Sequence, residues 1–75
     1  MITADELTTR FTYHQPQGTQ PQRYEHLRRR ALEFAREMLL ATPESREQSL
    51  ALTALEEAVM WANAGIARRE DAIAQ

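Results

Sequence analysis

The stretch MLLATPESREQSL, Met38 to Leu50, decides the fold. Proline disfavours helical geometry in the residue before it, so Pro43 ends at Thr42 any helix arriving from upstream. The same ring is tolerated in the first turn of a helix, and either Thr42 or Ser45 with Gln48 can cap the new start. Upstream, Tyr24, Leu27, Ala31, Phe34, Met38 and Ala41 recur at spacings of 3, 4, 3, 4 and 3, the pattern of a helix that packs along a seam. Downstream, Leu52, Leu55, Val59, Ala62 and Ile66 form a second seam. Two long helices, over about 20–41 and 43–74, joined by so short a connection run antiparallel. The expected class is all-α.

Residues 1–20 read as an arm ahead of this hairpin. Thr3 followed by Glu6 has the capping-box form, which predicts a short helix over about Ala4 to Arg10. Pro16, Gly18 and Pro21 then break any continuous helix and leave Thr12 to Gln20 as a loop. Thr19 with Gln22 is a second capping box, with Pro21 in the first turn of the long helix that follows.

A chain of 75 residues forms one domain and is near the size where a single core barely offsets chain entropy. It has no cysteine for a disulfide, and its His, Asp and Glu show no zinc or calcium ligand spacing, so neither metal nor cofactor is expected. Association with copies of itself is the remaining remedy. The second long helix supports it, because Leu50, Ala51, Ala54, Ala58, Met60, Trp61 and Gly65 leave little solvent face opposite its seam. At about 1.5 Å per residue the two helices would measure roughly 33 and 48 Å, leaving some 15 Å of overhang for a second copy to cover.

Charge separates the chain into two regions. Between Arg10 and Arg36 six arginines face two acids, a balance of +4, while the remainder holds three arginines and nine acids, or -6. The overall charge of -2 speaks against a binder of DNA or RNA polymers. All nine basic residues are arginine, whose planar fork grips phosphate bidentately, although a GC-rich coding bias gives the same composition. No apolar run is long enough for a membrane span, and MITADELTTR carries acids where a signal peptide carries positive charge, so the protein is read as cytoplasmic.

Several side chains in this pattern suit a ligand. Tyr13 and His14 offer flat surfaces on which a base or sugar stacks; alternatively Tyr13, like Phe11, pins the arm to the hairpin. Arg28, Arg29 and Arg30 point about 100° apart, so at most two serve one pocket, and a salt-bridged solvent face also accounts for the run. His26 reads as a surface residue. Arg68 and Arg69 suit the negative end of the last helix. Asn63 lies between Trp61 and Gly65 on a largely apolar helix, and its amide needs partners in a pocket or across an interface. No nucleophile is paired with a base, so catalysis is not expected.

The arm FTYHQP, Phe11 to Pro16, the following QPQRY, and SLALTALEEAVMWANAGIAR, Ser49 to Arg68, together resemble the hairpin domain of the phage anti-CBASS cyclic-oligonucleotide sponges, which related anti-Thoeris sponges share. The resemblance covers nearly the whole chain. It implies a homo-hexamer of helical hairpins in the host cytoplasm, whose pockets between protomers hold cyclic dinucleotides and, in some members, cyclic trinucleotides at separate pockets. The immune signal is thereby sequestered without cleavage. The resemblance further implies that Tyr13 stacks on a base, that Arg28 or Arg29 meets phosphate where the family pattern has lysine, and that Arg68 serves the trinucleotide pocket. With His14 beside Tyr13, the candidate ligand-binding set is Tyr13, His14, Arg28, Arg29 and Arg68. The competing reading is a structural helical oligomer, or a protein-interaction module, with no nucleotide ligand.

Overall fold

A computed structural model describes residues 1–70 of the chain. It contains three helices, α1 (Ala4–Phe11), α2 (Gln20–Ala41) and α3 (Arg46–Arg69), and is all-α, with a short leading helix and an antiparallel α2–α3 hairpin. The Thr3 hydroxyl accepts from the Glu6 amide at 3.1 Å, which satisfies one of the free N–H groups at the start of α1. Gly18, at φ 55, makes a left-handed turn that favours glycine and directs the chain into α2.

The hairpin turn is built from the residues around Pro43, with one difference from expectation. Of the two possible caps, Ser45 is the one used: its side chain accepts from the Gln48 amide at 3.1 Å, so α3 starts at Arg46 and not at Pro43. The Gln48 side chain then reaches back, donating to the Thr42 carbonyl at 3.1 Å and the Leu39 carbonyl at 3.3 Å. One glutamine thereby ties the start of α3 to the end of α2. At its other end α3 closes at Arg69, with Glu70 extended; the residues beyond, into which the expected helix ran, lie outside those described.

With 22 and 24 residues, α2 and α3 are about 33 and 36 Å long at about 1.5 Å per residue. The expected overhang is therefore absent from the described residues. The expectation of self-association rests instead on burial. No hydrophobic residue among those described is buried, and Phe11, Leu40, Met60 and Trp61 are each more than 60 % exposed. Extents of 44 × 31 × 16 Å describe a plate one helix layer thick, which has no interior in which a side chain could be enclosed.

The seam also differs in detail. Tyr24, Leu27, Ala31, Met38, Leu52, Leu55, Val59 and Ile66 are half-buried as expected, but Phe34, Ala41 and Ala62 are exposed while Ala35 is half-buried. In a straight helix Ala35 lies about 40° from Ala31 and Phe34 about 60° on the other side, so a strict heptad drifts off the contact line. Phe34 instead borders an apolar groove on one flank of the hairpin with Leu27, Ala58 and Ala62.

The cap expected at the start of α2 is missing as well. Thr19 has φ -89 and ψ 6 and makes no side-chain cap bond; its hydroxyl accepts from Arg23 Nε at 3.1 Å. A capping hydroxyl needs extended backbone to reach the N–H groups ahead of it, and Pro21 has none to offer.

Candidate ligand-binding cleft

Three sets of polar contacts hold the arm and the start of α2 against the far end of α3. The first centres on Gln20, the single buried polar residue among those described, at 4 % exposure. Its Nε2 donates to the Ile66 carbonyl and to Glu70 Oε1, each at 3.1 Å, and its Oε1 accepts from the Gln17 amide at 3.0 Å. Two of the three bonds reach residues 46 and 50 positions away, and together the three satisfy both ends of the amide, which is why this side chain can be enclosed without penalty. The second set is the Arg23 guanidinium, which donates through both terminal nitrogens to the Glu70 carboxylate, a bidentate pair that keeps Arg23 charged beyond its ordinary range.

The third set holds α1. Arg69 donates to Oε1 and Oε2 of Glu6 at 2.9 and 2.7 Å, and Arg10 Nε donates to Oε2 at 2.7 Å. The hydrogen bond from Arg69, then that from Arg10, lowers the Glu6 carboxyl from 4.5 to about 2. A folded value below the unfolded one means that the stabilisation is complete above about 4.5 and disappears as the pH falls through about 2. Acid titration followed by the amide resonances of α1 is expected to show the helix held from neutral pH down through 4.5 and released on the approach to 2, a step that Glu6→Gln removes. Release of α1 at the same pH in Glu6→Gln would show that another group holds it.

Between these contacts lies an open cleft of about 380 Å³, bordered by Tyr13 and His14 from the arm, Tyr24 and Arg28 from α2, and Asn63 and Arg68 from α3. Four of the five expected site residues meet here. Tyr13 is 83 % exposed and available for stacking. His14 is half-buried, and because a carbonyl only accepts, its Nε2 carries the proton it donates to the Thr9 carbonyl at 2.7 Å. That bond sets the ring against the end of α1 and leaves Nδ1 to other partners.

The arginines divide by partner. Arg10, Arg23, Arg30 and Arg69 pair with carboxylates, whereas Arg28 and Arg68, both on the cleft, have no acidic partner among the described residues. Arg29 does not border the cleft; it lies 3.3 Å from His26 Nδ1 on the outer side of α2. His26 is exposed, as expected of a surface residue.

Phe11, expected to pin the arm, is 81 % exposed and lines a neighbouring cleft of about 410 Å³ with Trp61, Gly65, Arg10 and Arg68. Arg68 thus stands between two clefts. Sequence reasoning missed Arg10, which borders both, and the Gln20–Arg23–Glu70 contacts. No spacing rule relates side chains some fifty positions apart, so these had no signal in the chain. The described residues contain no group of His, Cys, Asp or Glu able to hold a metal ion, and none of their helices is long and apolar enough to cross a membrane.

Compared with known families, the chain matches the model described as Acb2/Tad1, hairpin domain, over residues 3–67, which takes in the arm, α2 and nearly all of α3. No curated protein and no solved structure matches it.

Proposed function

Because the chain belongs to the Acb2/Tad1 hairpin-domain family, the phage anti-CBASS cyclic-oligonucleotide sponges, we propose that the cleft between Tyr13, Arg28 and Arg68 is where it takes its ligand. The family is non-catalytic, binds cyclic oligonucleotides and self-associates. The observation that carries the assignment is the pair of guanidiniums, Arg28 and Arg68, bordering the cleft without carboxylate partners among the described residues. A guanidinium that no carboxylate grips keeps its planar fork free for an anionic oxygen. Tyr13 supplies the stacking surface that a nucleobase needs, and His14 extends it.

A single chain presents this cleft open to solvent. In a symmetric assembly, a neighbouring copy closes it, and two Tyr13 rings related by a twofold axis face the two bases of one cyclic dinucleotide while paired Arg28 side chains meet its two phosphates. We place six chains in the assembly. Arg68, shared with the cleft of Phe11 and Trp61, serves a cyclic trinucleotide there.

Native mass spectrometry after addition of a mixture of cyclic di- and trinucleotides tests these statements together. Six chains with whole-number ligand occupancy, and ligand recovered chemically intact after heat release, are expected. A different copy number overturns the hexamer, and linear products that increase with time overturn sequestration. Ligands that leave both mass and melting temperature unchanged return the chain to the reading of a structural helical oligomer, since a ligand bound by the folded state alone raises its melting temperature.

A further inference from the structure

Asn63 carries a polar atom that nothing in its own chain satisfies. Its Oδ1 is enclosed and has no hydrogen-bond donor, a condition penalised by the loss of hydration. The backbone N–H groups around it, well inside α3, are engaged within the helix, so the missing donor is a side chain or comes from outside the chain.

Two clefts flank this position. One is the aromatic and basic cleft of Tyr13, Tyr24 and Arg68; the other is an apolar groove of about 750 Å³ bordered by Leu32, Leu52 and Met60. Arg28 and Asn63 are the two side chains that border both. They form the partition between the clefts, one from α2 and one from α3. The residue that carries the orphan acceptor and an arginine with no carboxylate partner among the described residues therefore border the same two clefts. Tyr24, Arg10 and Arg68, further donors on the first cleft, do not border the second.

We propose that Asn63 is the positioning residue of Arg28: its Oδ1 accepts one guanidinium N–H and turns the rest of the fork toward an anionic oxygen in the cleft. The assignment rests on the reading of Arg28 as the phosphate contact. The chemistry favours an amide in this place over an acid. A carboxylate would orient the fork and also cancel the charge that attracts the phosphate, whereas a neutral amide oxygen orients it and leaves the charge in place. The energetic penalty of the orphan in the free chain is relieved when Arg28 is ordered, so ligand binding and the Asn63 contact reinforce each other.

The test is a double-mutant cycle on the full chain, with cyclic di-AMP as probe and calorimetry as readout. Asn63→Leu keeps the branched shape of the side chain at a larger volume and removes the acceptor; it is expected to weaken binding about tenfold, the scale of a hydrogen bond to a charged group, with the assembly mass unchanged and the melting temperature equal or higher. In the Arg28→Ala background the same change is expected to have no further effect. Equal losses in both backgrounds would mean that Asn63 contacts the ligand itself and would overturn the proposal. So would coupling to Tyr24→Phe in place of Arg28→Ala. Loss of the assembly in Asn63→Leu would assign the donor to a neighbouring copy, with the same consequence. If Arg28→Ala alone leaves affinity unchanged, the ligand reading of Arg28 fails and this proposal with it; if Arg28→Ala weakens binding and Asn63→Leu does not, only the proposal fails.

Discussion

Trp61→Glu is expected to dissolve the assembly at micromolar concentration and to take most of the helical signal with it. Trp61 is 68 % exposed in the single chain and Met60 61 %, and no apolar side chain of the described residues is buried. A two-helix plate of this kind has no core of its own, so the burial that holds it must come from other copies. A carboxylate placed in such an interface loses its hydration without gaining a partner, at a cost of about several kcal/mol per ion, multiplied by the number of symmetric contacts. Sedimentation and far-ultraviolet circular dichroism should report the two losses together. If the chain were a stable monomer, the same change would be an ordinary surface substitution worth within about 0.5 kcal/mol, and an unaltered melting curve and mass would reject the interface at Trp61.

Arg28→Ala and Arg29→Ala are expected to differ by about 1.5–3 kcal/mol in cyclic dinucleotide affinity, the value of a hydrogen bond to a charged group. The two are adjacent in sequence but about 100° apart around α2. Arg28 borders the cleft, while Arg29 approaches His26 on the outer face. Tyr13→Ala should weaken the same ligand by about 1–3 kcal/mol through lost stacking, and at 83 % exposure it should leave the melting temperature of the free protein in place. Calorimetry on the three variants separates the possibilities. Equal and negligible effects of Arg28→Ala and Arg29→Ala would make the arginine run a solvated face, and an unaffected Tyr13→Ala would make Tyr13 a contact of the arm.

How far the chain could be read in advance depended on the range of the interaction concerned. The Thr3 cap and the α1 helix it starts rest on atoms three residues apart, and they were legible. Pro43 marked the turn for the same reason. Which residue caps α3 was open between Thr42 and Ser45, because both have a suitable hydroxyl and the choice rests on how Gln48 folds back onto Thr42 and Leu39. Phe34 was misplaced on the seam by a heptad rule that a straight helix does not keep over several turns.

The site shows the same division more sharply. Residue type named Tyr13, His14 and the arginines as suited to a nucleotide, and Asn63 as an amide short of partners. Neither composition nor spacing could choose Arg28 over Arg29, bring Arg68 to the arm, or withdraw Arg69 into the Glu6 pair. Helix periodicity, capping and turn chemistry act between near neighbours, so the order of residues was enough to establish a helical hairpin with an arm and a surplus of apolar surface. The cleft depends on Gln20 reaching Ile66 and Glu70, and Arg69 reaching Glu6. Those contacts join residues 46 to 63 positions apart, and they exist only once α2 and α3 have packed and carried their ends together.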